Sequence, residues 1–105
     1  MSEACCVILT TAGSQAEADR IAEALVHRRL AACVQIAAIS STYMWKGSVT
    51  REAEHLLLIK TPTRLYQGVE ALIRELHSYE VPEIVQLPIE QGSAGYLNWI
   101  SESTG

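Results

Sequence analysis

Apolar residues change their spacing along the chain, and each change marks an element. Residues 4–11 (ACCVILTT) form a nearly unbroken apolar run, the pattern of a strand covered on both faces. Ala12-Gly13 interrupts it, and Ser14-Gln15-Ala16-Glu17 reads as a capping box. In that motif the serine oxygen takes an orphan amide and the glutamate reaches back to the start of the helix. Ala18, Ile21, Ala22 and Leu25 follow at spacings of three and four, predicting one apolar helix face that runs to about Arg29. Residues 31–45 and 49–60 are extended segments on either side of a Lys46-Gly47-Ser48 turn, a hairpin. The first half of its second strand, with Glu and Ala, is expected to be an exposed end, and LLLI (residues 56–59) to lie in the sheet interior.

Thr61-Pro62 predicts the start of a second helix, capped by Thr61 or Thr63, with proline in the first turn. Leu65, Val69, Leu72, Ile73 and Leu76 stand at offsets 0, 4, 7, 8 and 11, a helical stripe. Gly68 inside that stripe costs about 1 kcal/mol relative to alanine, which points to close packing there. Residues 83–89 predict a further strand, and 93–103 a last helix carrying Tyr96, Leu97, Trp99 and Ile100. The order β-α-β-β-α-β plus a terminal helix describes two split βαβ units, a ferredoxin-like α+β sandwich with a long central hairpin. No repeat, linker or low-complexity tract divides residues 1–105, so a single domain is expected.

The hairpin raises a question of size. A strand of about 13 residues spans about 43 Å, whereas a compact chain of this length has a diameter of roughly 33 Å. The hairpin must overhang the core or bend. It carries Tyr43, Met44 and Trp45 and a row of unpaired edge groups, a hazard unless another chain covers them. An oligomer joined through this arm is therefore expected.

Composition narrows the classes. With 49% hydrophobic and 19% charged residues in 105, the chain is too apolar for disorder. A net charge of −4 argues against binding nucleic acid, and the one basic run, His27-Arg28-Arg29, suits the negative end of a helix. No apolar run reaches the roughly 18–20 residues of a membrane span, and Met1-Ser2-Glu3-Ala4 lacks the basic start of a signal peptide. Three cysteines without a CxxC point to reduced thiols and a cytoplasmic location.

The stretch LHSYEVPEIVQLPI (residues 76–89) crowds His77, Tyr79, Pro82 and Glu83 into one connection. No HxH, HExxH or CxxC links any of His27, His55, His77, Cys5, Cys6 and Cys33 into a local chelate. Cys5 and Cys6 point to opposite faces of a strand, Cys33 suits a core, and His55 a structural or surface role. His77 stands either as an imidazolium at the helix end or as a site residue. Lys60, His77, Tyr79 and Glu83 are all capable of proton transfer, yet there is no nucleophile with an adjacent base and no Gly-rich phosphate loop, so no catalytic residue is assigned. In the structural alternative Tyr79 and Trp99 pack under the terminal helix, Pro82 fixes the turn and Lys60 pairs with a carboxylate.

ACVQIAAISSTYMWKGSVTREAEHLLLIKT, HSYEVPEIVQLPI and GYLNWI resemble the CutA1 divalent-ion tolerance family over about residues 5–101. The resemblance implies a ferredoxin-like subunit, a PII-like homotrimer built through the long hairpins, no established reaction, and a link to tolerance of copper and other divalent cations. No cofactor is required, with a divalent metal ion such as Cu2+ as a candidate ligand. It also implies a cleft at the subunit boundary formed by Trp45, Glu52 or Glu54, Lys60, His77, Tyr79, Pro82, Glu83, Tyr96 and Trp99. Some bacterial members carry a cysteine where this chain has Thr10 and a histidine where it has Leu76, both credited there with copper binding alongside the glutamate at Glu83. Symmetry in a trimer would bring His77 and Glu83 together as a modest metal site. As an alternative, a PII-like sensor would bind a small anionic metabolite in the same cleft, using Lys60, Arg64 and Arg51.

Overall fold

A computed structural model describes residues 3–105. The expectation for the start of the chain falls partly on Met1 and Ser2, which lie outside the described residues. The elements run β1 (Cys5–Ala12), α1 (Gln15–His27), β2 (Cys33–Trp45), β3 (Ser48–Pro62), α2 (Tyr66–Leu76), β4 (Val85–Pro88) and α3 (Ala94–Ser103). They form an α+β fold with one antiparallel sheet in the order β2-β3-β1-β4. Strand β3 lies between β1 and β2, as two interleaved βαβ units require.

Pleating divides the sheet into two unlike faces. Cys6, Ile8, Thr10 and Ala12 of β1 stand beside Leu57, Ile59 and Thr61 of β3 on one face. These side chains are buried with Ile21 and Leu25 of α1 and Val69, Leu72 and Ile73 of α2. His55 is half-buried on this face, its Nδ1 without a hydrogen-bond partner among the described residues. The opposite face presents Val7, Leu9, Leu56 and Leu58, with Val85 and Leu87 of β4 beside them. Among the described residues α3 lies over part of it, and Leu87 remains 51% exposed.

The molecule measures 48 × 25 × 21 Å, so the hairpin overhangs its core. Strand β1 ends opposite His55, so residues 39–45 and 48–54 pair only with each other and project as a two-stranded arm. The turn is tighter than expected: Trp45 pairs with Ser48, leaving Lys46-Gly47 as a two-residue loop. Both loop residues have positive φ, 49° and 81°, the primed geometry that matches strand twist.

Several boundaries differ from expectation. Helix α1 stops at His27, and Arg29 turns left-handed at φ 59° while Leu30 N–H bonds back to the Leu25 carbonyl. Thr61 and Pro62 are not a helix start. Strand β3 continues through them because Thr61 pairs with Cys6, and its hydroxyl donates to the Leu30 carbonyl at 2.7 Å. A 3₁₀ turn, Thr63–Leu65, then leads into α2, which has no side-chain cap. Strand β4 is shorter than residues 83–89, so Glu83 lies ahead of it rather than at its first position. The close packing expected at Gly68 is present: a Cβ there would meet Leu30 Cδ2 at 2.9 Å.

Candidate functional site

The capping box at the start of α1 forms only in half. Ser14 Oγ accepts the Glu17 amide at 3.1 Å, as expected. The Glu17 carboxylate instead crosses to the connection after α2, taking the Ser78 amide at 2.7 Å and the Ser78 hydroxyl at 2.9 Å. Glu17 is 7% exposed, and these two donors satisfy both of its oxygens. A helix-start residue thereby pins the middle of the His77-Ser78-Tyr79 segment.

His77 ends α2, its amide bonding to the Ile73 carbonyl, and its side chain is fully enclosed although its backbone is not. Nδ1 accepts the Tyr79 amide at 3.0 Å, and Nε2 faces the Thr11 carbonyl. A carbonyl only accepts, so the proton sits on Nε2 and the ring is neutral. The imidazolium expected at the helix end is therefore replaced by a neutral ring, and neither nitrogen is free for a metal. His77 and Glu83 are not brought together: His77 is inside, and Glu83 is exposed on the rim of a cleft.

That cleft, of about 680 Å3, lies where the arm leaves the open face of the sheet. Its floor is Thr11, Glu54 and Glu52, its arm side Tyr43 and Trp45, and its far wall Tyr79, Glu80, Val81 and Glu83. Two phenol–carboxylate bonds shape it. Tyr79 Oη donates to Glu54 Oε2 at 2.9 Å, and Tyr43 Oη to Glu52 Oε1 at 2.6 Å. Burial and then the Glu54 bond push the Tyr79 hydroxyl up to about 12. The Glu52 bond does the same for Tyr43, also to about 12. Tyr79 is fixed from behind as well: its ring lies 4.7 Å from that of His77, and a Cβ on Gly13 would meet its hydroxyl oxygen at 3.1 Å.

Of the residues expected in one cleft, Trp45, Glu54, Tyr79 and Glu83 meet here, and His77 stands behind the wall. Lys60, Tyr96 and Trp99 do not. They gather at the other end of the open face, about 20 Å along β3 from Glu54 at ~3.3 Å per residue. Among the described residues Lys60 pairs with no carboxylate; its Nζ donates to Gln35 Oε1 at 2.6 Å and lies 5.8 Å from the Tyr96 ring centre. Tyr96 and Trp99 stack at 5.6 Å and are 41% and 43% exposed. Neither Tyr79 nor Trp99 is packed under α3 as the structural alternative supposed.

Sequence reasoning left Glu17 to its local motif and missed its cross-chain role, for which no sequence signal exists. Tyr43 is the other omission: it stands on the same side as Glu52, an expected cleft residue, only because the turn has two residues and not three.

The donor chemistry is that of carboxylates. Among the described residues no three His, Cys, Asp or Glu side chains converge to enclose an ion. Burial pushes the Cys5 and Cys6 thiols up, away from thiolate. Thr10 Oγ1 is buried without a hydrogen-bond partner among the described residues. No lysine or arginine of this chain lines the cleft. Arg64 is held by Glu3 at 2.8 Å and Arg51 bonds to Thr42, so the cations expected to serve an anionic metabolite are elsewhere. No helix among the described residues is long and apolar enough to cross a membrane.

The α+β fold thus has a projecting hairpin, one sealed sheet face and one open sheet face. Comparison with known proteins makes this specific. The chain belongs to the CutA1 divalent ion tolerance protein family, whose description matches residues 6–103. It is 47% identical over 100 residues to the divalent-cation tolerance protein CutA of Thermus thermophilus, covering 94% of this chain and 97% of the relative. It is 38% identical over 99 residues to a rice protein named CutA 1, chloroplastic, covering 93% of this chain and 56% of the relative. The solved structure of the periplasmic divalent cation tolerance protein CutA from Archaeoglobus fulgidus superposes with a TM-score of 0.94 at 37% identity, covering 96% of this chain and 99% of that one. The chain spans about half the length of the plant and animal relatives it matches. This is a family of divalent-cation tolerance proteins and not of enzymes.

Proposed function

We propose that this chain acts in divalent-cation tolerance as a cytoplasmic homotrimer that binds divalent ions weakly at its acidic cleft. The observation that carries the reading is the open sheet face. In one chain it leaves Val85 44% and Leu87 51% exposed beside half-buried Val7, Leu9, Leu56 and Leu58. Burying a fully exposed side chain of this kind contributes about 1.5–3 kcal/mol, and completing the burial of these half-covered ones contributes roughly half of that at most, so covering them with sister copies is favoured. The same face ends in opposite charge: Glu52, Glu54 and Glu83 at the arm, Lys60 between Gln35 and Tyr96 at the other end. Head-to-tail contact of identical copies places one end against the other, and a ring closes such contacts.

For the ion, carboxylate oxygens suit hard divalent cations, whereas Cu(II) favours imidazole and thiolate donors. The donor set therefore fits a weak, poorly selective site better than a dedicated copper site. The four glutamates lining the cleft disfavour the anionic metabolite of the sensor alternative. Calorimetric titration with Cu(II), Zn(II), Cd(II) and Mn(II) tests this. Glu54→Gln/Glu83→Gln is expected to lose most of the binding heat for all four ions; isotherms identical to those of the unsubstituted protein remove the cleft from the account.

A further inference from the structure

We propose that His77 and Glu17 form an acid-sensitive latch that positions Tyr79 and thereby sets the shape of the cleft. The inference rests on the geometry of the cleft wall and not on which ion the cleft takes.

Three consecutive residues are each held by a different bond. His77 is held at Nε2 by the Thr11 carbonyl of β1, Ser78 by both oxygens of Glu17 on α1, and Tyr79 by its amide on His77 Nδ1. Nδ1 also lies 3.4 Å from Glu17 Oε2, close but without the bond, because a neutral Nδ1 has no proton to give. Protonation reverses that preference. An Nδ1–H and the Tyr79 N–H, 3.0 Å apart, become two donors facing each other, and the nearest acceptor for the new proton is the Glu17 carboxylate. The ring turns toward Glu17 and the Tyr79 amide is released.

Tyr79 has little else to hold it from this side. Its ring rests on the His77 ring at 4.7 Å, and its hydroxyl is the donor to Glu54 across the cleft floor. Release of the amide therefore displaces the wall and weakens the Tyr79–Glu54 bond. The charged groups around the imidazole come from several elements. Glu17 of α1 is the nearest; Arg20 of the same helix is directed to the Leu76 carbonyl at 3.4 Å. Glu54 and Glu52 of β3 lie beyond Tyr79, and Tyr43 is held by Glu52. Glu80 follows in the connection, Arg74 of α2 is turned to Glu70, and β1 offers only the Thr11 carbonyl. A proton on Nδ1 removes the acceptor that holds the Tyr79 amide, so acid opens the latch and base closes it.

Nitrogen-15 NMR of the imidazoles, recorded with amide spectra through one pH titration, tests the latch on the full chain. At neutral pH His77 is expected as the Nε2–H tautomer, with the Tyr79 amide moving at the same midpoint as the ring. In His77→Gln, which keeps a donor and an acceptor but cannot charge, that midpoint in the Tyr79 amide disappears. In Glu17→Gln, which keeps acceptor oxygen for Ser78 but loses the charge, the His77 midpoint moves to lower pH. An Nδ1–H tautomer at neutral pH, a Tyr79 amide titrating unchanged in His77→Gln, or an unmoved midpoint in Glu17→Gln overturns the latch. The Glu17→Gln reading stands alone if His77→Gln does not fold. None of these signals depends on metal binding, so the latch and the cation site fail separately.

Discussion

The two faces of one sheet have opposite fates. On the helix-covered face Ile8, Leu57 and Ile59 are completely enclosed by side chains of the same chain. On the other, Leu56 and Leu58, their immediate neighbours in sequence, are left half-covered, and the acidic cleft and the Lys60–Tyr96 cluster sit at its two ends. A strand alternates its side chains every residue, so the same run LLLI serves both purposes. The sealed face secures the fold; the open one is the face we propose for assembly and ligands.

Substitutions on the two faces should therefore fail in different ways. Ile59→Ala removes a fully buried side chain and is expected to cost about 3 kcal/mol of stability, measured by denaturant unfolding at fixed protein concentration. Leu58→Asp, one residue away, is expected to leave the helical circular dichroism intact while weakening subunit association by roughly ten- to a hundredfold, the loss of about 1.5–3 kcal/mol of apolar burial. Light scattering across a dilution series separates the two: if Leu58→Asp unfolds the chain as Ile59→Ala does, the faces are not distinct.

A smaller effect belongs to the α1 start. Ser14→Ala deletes the acceptor for the Glu17 amide and is expected to cost about 1 kcal/mol in thermal or denaturant unfolding. A far larger loss would mean that the cap also steers the Glu17 carboxylate onto Ser78. The smallest effect is at high pH. Tyr79 has a folded-state pKa above its unfolded value, near 10, so the stability it contributes is present in full below about pH 10. That contribution is lost as pH rises toward about 12. Phenolate absorbance should show two tyrosines titrating near 12, and Tyr79→Phe should remove one of them.

The contrast also explains what the sequence disclosed. Elements with a period were legible: the α2 stripe, the apolar run of β1 and the alternation through the hairpin all appear where expected. The overhanging arm followed from strand length alone. The junction at Thr61-Pro62 misled because hydroxyl-then-proline is the local signature of a helix start, while the bond that settles it, to Leu30, joins residues 31 apart. Glu17 misled in the same way, its capping-box spacing masking a partner 61 residues away. The expected cleft residues separated into two ends because register, not residue type, decides how far apart Glu54 and Lys60 stand on β3. In a single chain those ends do not meet.

Whether they meet between chains is measured most directly by native mass spectrometry of the full-length protein, with light scattering at micromolar concentration as its solution counterpart. The account predicts three subunits, and their loss on Leu58→Asp. A stable, folded single chain under both conditions would contradict it, because the open face would then be sufficient without a partner.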